Sequence, residues 1–120
     1  MEFVLNDKQS VYDSVSEEIS RFGISPVKLG YTYLVEAVTY VLEDEDSIHG
    51  ITKSIYPRLA QTFLTTPEAV ERAMRTAISR ACKSFGEGRR KAVHFTNKEF
   101  IFKIVRTVKK QLDTVNIDKY

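Results

Sequence analysis

Cysteine is almost missing from this 120-residue chain: Cys82 stands alone. That excludes an internal disulfide and any zinc site built on several cysteines, and it fits a cytoplasmic chain. Glycine (5) and proline (3) are sparse, no stretch is of low complexity, and no internal repeat is visible. No apolar run approaches the ~20 residues that a membrane helix needs. A signal peptide is not expected either, because Glu2 and Asp7 stand where an n-region is basic. What is present is ordinary for a folded domain. Hydrophobic residues make up 42% and charged residues 28%, which argues against wholesale disorder. The length suits one domain that buries roughly two-thirds of its extended surface.

The net charge of +2 hides a strong asymmetry. Residues 1–60 carry 5 Lys/Arg and 10 Asp/Glu, whereas residues 61–120 carry 13 and 6. Between Arg72 and Lys110 there are 12 basic residues against only Glu87 and Glu99. One basic half on a near-neutral chain points to a polyanion partner on one face.

The apolar spacing is helical nearly throughout. Val11, Val15, Ile19 and Phe22 predict a first amphipathic helix that ends near Gly23. Its apolar face needs a cover, either the rest of the domain or a second copy. Ser25-Pro26 reads as an N-cap followed by a first-turn proline. Residues 30–42 are apolar on most sides, which predicts a central core helix. The acidic run Glu43-Asp44-Glu45-Asp46 breaks the pattern. Ile51, Ile55, Leu59 and Phe63 then form a third face, with Pro57 inside it forcing a kink or a restart. Thr65-Thr66-Pro67-Glu68 is a further helix start, followed by the stripe Val70, Ala73, Met74, Ala77, Ile78, Ala81 and Phe85. The sequence Gly86-Glu87-Gly88 ends that stripe. Thr96-Asn97-Lys98-Glu99 is a capping box ahead of a last stripe through Phe100, Ile101, Ile104, Val105, Val108 and Leu112. Strand character is confined to residues 92–95. The expectation is an all-α domain of five or six helices.

Residues 51–85 have the form helix, short polar break, helix. The break, Leu64-Thr65-Thr66, suits a helix-turn-helix corner. In such a motif the second helix enters the major groove of double-stranded DNA and its N-terminal side chains reach base edges. Glu68, Ala69, Glu71 and Arg72 are the candidates for base contacts, because arginine bonds guanine bidentately and glutamate accepts from a cytosine amino group. Thr66, Arg75, Thr76, Ser79, Lys83, the loop residues Arg89, Arg90 and Lys91, and Lys98 are the candidates for backbone contacts, which add affinity without reading sequence. Lys103, Arg106, Lys109 and Lys110 continue the basic series along the last helix.

A family resemblance rests on these same residues. It is carried by Gly30-Tyr31-x-Tyr33-Leu34-x-Glu36-Ala37, then Glu43-Asp44, then Ile51-Thr52-Lys53-x-x-Tyr56-Pro57-x-Leu59-Ala60. It continues through Thr65-Thr66-Pro67-x-x-Val70-Glu71-Arg72-Ala73-x-Arg75-x-Ala77-Ile78 and closes on Thr96-Asn97-x-Glu99-Phe100-Ile101. In this order, over about residues 22–112, the chain resembles the C-terminal effector domain of the sporulation-initiation response regulator of endospore-forming bacteria. The resemblance implies a six-helix, helix-turn-helix transcription factor that binds short DNA boxes. It also implies that an Arg, a Glu and an Arg near the start of the recognition helix read bases. Glu71 and Arg72 match the second and third of these. Ala69 departs at the first, and 86–95 is a shorter bridge than the family carries. The domain organisation expected is therefore an N-terminal helix over 1–22 in place of a receiver domain, the effector domain over 23–113, and a tail over 114–120. Such a chain either stands alone or is a piece of a longer one.

Other features point nowhere sharper. The acidic run at 43–46 lacks the spaced oxygens of a calcium loop and reads as solvated helix-end charge. His49 and His94 lie far apart with Cys82 between them, so neither a metal site nor any other cofactor is expected. Cys82 reads as a small buried side chain. Gly86-x-Gly88-Arg89-Arg90 follows no strand and is not a dinucleotide fingerprint. Nothing resembles a nucleophile and its base, so the chain is not read as an enzyme, and no small-molecule substrate or membrane is expected. The function expected is sequence-specific binding of double-stranded DNA in transcriptional regulation, as a homodimer or in tandem. The rival is a non-catalytic protein-interaction module that pairs with another regulator and binds DNA weakly or not at all.

Overall fold

The computed structural model describes residues 2–86 and 94–118, with side chains described for 9–83 and 94–112. Among the described residues five α-helices follow one another: α1 (Glu2–Arg21), α2 (Leu29–Glu43), α3 (Tyr56–Thr62), α4 (Pro67–Gly86) and α5 (Asn97–Asp118). A 3-10 helix (Glu45–Gly50) and one π-helical turn (Ile51–Ile55) join α2 to α3. No strand occurs among the described residues. Residues 94 and 95 of the expected strand piece are coil, and 92 and 93 lie outside the described residues.

α2 is the central helix, as its all-round apolar sequence requires. Tyr33, Leu34, Val35, Ala37, Val38 and Val41 are all buried, and the helix packs against each of the other four. The first helix finds its cover within the chain. Val15 and Ile19 are fully buried, and α1 lies against α2 and α5. It stops at Gly23, whose φ of +107° is open to glycine but strained for any L side chain. α5 runs on to Asp118, through most of the stretch that reads as a tail.

Two local expectations need correction, and the alternative left open at Pro57 is resolved. Ser25-Pro26 does not start α2. The Ser25 hydroxyl accepts from the Val27 N–H within an isolated turn, and extended Lys28 (φ −87°, ψ 142°) ends that turn before the helix begins at Leu29. Of the kink or restart expected at Pro57, the third face makes the restart. Proline lacks the N–H that an interior position donates, so the chain makes a wide π turn first, with Tyr56 N–H reaching back to the Ile51 carbonyl, and α3 restarts with Pro57 in its first turn. Phe63 is also not core. It sits 36% exposed at the rim, edge-on to Tyr33 at 5.3 Å between ring centres, because α3 has already ended at Thr62.

The capping box forms as spaced. Glu99 accepts from the Thr96 N–H at 2.9 Å, and the Thr96 hydroxyl accepts from the Glu99 N–H at 3.1 Å. The backbone bond from Thr96, then its side chain, hold the Glu99 carboxyl below the ordinary value of 4.5. A carboxyl lowered in the folded state adds stability above its unfolded pKa, and loses that contribution as pH falls through the folded one. Glu99→Ala should therefore destabilise the protein at pH 7. Denaturant titrations should show the gap to wild type closing as pH falls below about 4. A gap that persists at low pH would show that the carboxylate is not what caps α5.

Candidate nucleic-acid interface

Helix α3 ends in a tight corner that aims α4. Phe63 N–H bonds the Leu59 carbonyl and Thr65 N–H bonds the Ala60 carbonyl at 2.9 Å. That longer loop, with Leu64 at φ +54°, is a Schellman closure whose left-handed position usually holds glycine. Leu64 fills it while 93% exposed. Thr66 then caps the next helix, its hydroxyl accepting from the Ala69 N–H at 3.1 Å, and Pro67 and Glu68 occupy the first turn as the sequence predicts.

Val70, Met74, Ile78 and Ala81 pin α4 inward against α2, α3 and α5. Ala73 and Ala77 are half-buried beside them, and the Phe85 side chain lies outside the described residues. The opposite face carries the predicted site. Glu68, Arg72, Arg75, Thr76, Ser79 and Lys83 are exposed, while Ala69 and Glu71 are half-buried. Glu71 is also engaged: its carboxylate accepts from Arg75 Nε at 2.9 Å, one turn along the helix. Arg72 makes no ion pair among the described residues. Thr66 is exposed, with its hydroxyl spent on the cap. The basic loop residues Arg89, Arg90 and Lys91 lie outside the described residues.

Lys98 comes near this face through its neighbour. Asn97 is the one buried polar side chain among the described residues. Its amide donates to the Tyr56 hydroxyl at 3.0 Å and to the Glu71 carbonyl at 3.2 Å. It thus ties the start of α5 to α3 and α4, and exposed Lys98 follows directly. The sequence shows Asn97 only as the second letter of a capping box; nothing in its spacing signals the tie. Tyr56 is held above the ordinary phenol value, first by burial, with the Asn97 bond acting in the opposite direction.

Further along α5 the basic series divides. Lys109 is paired with Glu45. Arg106 lies over the ring of exposed Phe102 at 5.7 Å, and Lys103 over Phe95 at 5.9 Å. Cys82 is buried, and that burial pushes its thiol up. Among the described residues no group of His, Cys, Asp and Glu is placed to hold a metal ion, and no helix is long and apolar enough to cross a membrane.

A comparison with known families matches residues 15–108 to the family described as the sporulation initiation factor Spo0A C terminal. The chain belongs to that family. The Spo0A C-terminal family is one of DNA-binding effector domains in the transcriptional control of sporulation, and it is not a known catalytic family. Its matched span begins inside α1 at residue 15, the first fully buried residue among those whose side chains are described.

Proposed function

We propose that this Spo0A C-terminal domain is a sequence-specific regulator that uses α3 and α4 as a helix-turn-helix, with α4 in the major groove of double-stranded DNA. The observation that carries the reading is Arg72, exposed and without an ion pair near the start of the helix that follows the Schellman corner. An arginine in that place reaches a guanine edge. Glu68, Ala69 and Glu71 flank it, with Glu71 exchanging Arg75 for a cytosine amino group and Ala69 offering only a methyl. Thr66, Arg75, Thr76, Ser79, Lys83 and Lys98, with Arg89, Arg90 and Lys91, hold phosphates. Two copies on adjacent boxes would lengthen the site read.

A salt titration tests this reading. If about six phosphates are contacted, the logarithm of the affinity for duplex DNA falls with log salt at a slope of about −5. Absence of any duplex binding at low salt would reject the reading and leave the protein-interaction module.

A further inference from the structure

A groove of about 450 Å³ runs beside α4, between its stretch 69–81 and the segment 23–30. That volume lies within the range of small-molecule sites, which are mostly apolar with a few placed polar groups. The floor is unusually shallow in side chain. Gly30 of α2 lies directly against Ala73 and Ala77 of α4, and Ala69 and Ala81 extend the same small-residue row. Leu29, 67% exposed, forms an apolar lip.

The rim is cationic. Lys28 stands on one side, and Arg72 and Arg80 on the other. Among the described residues no acidic side chain lines the groove, and none of the three cations has an ion pair. An apolar trough with unpaired positive charge at its edge is complementary to a molecule with an apolar body and an anionic head. It is too small for a folded partner and too apolar for a bare phosphate.

We propose that this groove binds a small amphipathic anion, a carboxylate or phosphate on an aromatic or short aliphatic body, and that its occupation excludes DNA. The exclusion rests on the DNA reading above: Arg72 lies on the groove wall and is also the side chain assigned to a base, so it cannot serve both at once. A ligand of this class would then act as a direct antagonist of DNA binding, by competition rather than by a change of fold.

The test uses the whole chain and 2-naphthoate as the probe, followed by amide chemical shifts. Saturable shifts are expected at Lys28, Gly30, Ala73 and Ala77. Uncharged 2-naphthamide should bind about tenfold more weakly, since it lacks the charge-assisted bonds. Lys28→Glu, at an exposed position outside the DNA-contact set, should weaken the naphthoate by a similar factor while keeping the folded spectrum. Duplex DNA should release the probe. Shifts that do not saturate, that centre on Phe102 of α5, or that are equal for the neutral amide would overturn the groove as an anion site. Simultaneous binding of probe and DNA would overturn the exclusion. Loss of duplex binding in the salt titration, with the groove shifts intact, would sink the DNA reading while supporting the groove.

Discussion

Ile78→Ala should lower the unfolding free energy by about 2–5 kcal/mol, and Arg72→Ala should leave it within about 0.5 kcal/mol. The two positions share α4 and lie on opposite faces. Ile78 is 1% exposed in the core shared with α2, so truncation removes transfer energy and leaves a cavity. Arg72 is exposed and makes no ion pair among the described residues, so its loss costs no packing. The order reverses for DNA. Arg72→Ala should weaken binding to the preferred box by about 1–3 kcal/mol, while non-specific binding falls only by its one charge. Urea unfolding and competition binding on both variants separate these effects. An Arg72→Ala protein that unfolds early would show that the inward face of α4 has been misassigned.

Gly30→Ala should destabilise the protein, although helix propensity alone predicts the opposite. Replacing a helical glycine by alanine gains up to about 1 kcal/mol from propensity. Here the new Cβ would overlap the Ala73 carbonyl oxygen and come within 2.7 Å of the Ala77 Cβ. The first of these is backbone in the middle of α4 and cannot rotate away, so α2 and α4 must separate. Overpacking of this kind costs about 1–3 kcal/mol, more than propensity returns. Among the described residues α2 and α4 share the most extensive contact, so the loss should register in the whole transition rather than in one frayed turn. Thermal or urea unfolding measures it. Adding Ala77→Gly should recover only part of the loss, because it relieves the side-chain overlap and not the carbonyl one. A Gly30→Ala protein more stable than wild type would refute the close crossing.

Much of this protein was legible in order along the chain, because its signals are local. A helix start needs only a hydroxyl and a carboxylate three residues apart, and Thr96 and Glu99 make both bonds that their spacing implies. Thr66 and Pro67 likewise suffice to begin α4. The 3.6-residue period alone separates Ile78 from Arg72, since burial on one side of a helix follows from spacing once the helix exists. The charge contrast between the two halves of the chain is a property of composition.

What depended on the meeting of distant segments was hidden. Pro57 announced a break, but whether the chain kinks, restarts or widens into a π turn depends on which carbonyls the neighbouring turn leaves free, and the answer was Tyr56 bonding back to Ile51. Ser25 and Pro26 have the letters of a helix start. Yet α2 begins only at Leu29, where Gly30 can sit against Ala73, and that contact joins residues 43 positions apart. Asn97 reads as a spacer within a cap, and only the packing of α5 on α3 and α4 turns it into a tie between the Tyr56 hydroxyl and the Glu71 carbonyl. The groove belongs to the same class. Lys28 and Arg80 are ordinary surface cations in the sequence, and they share one rim only because small residues let α2 and α4 approach so closely. The helices and their inward faces follow from neighbours a turn apart, and the basic second half of the chain from composition, so all three could be read from the sequence. The tertiary structure decided which cations converge and what lies between them, since that is set by contacts between helices far apart in the chain.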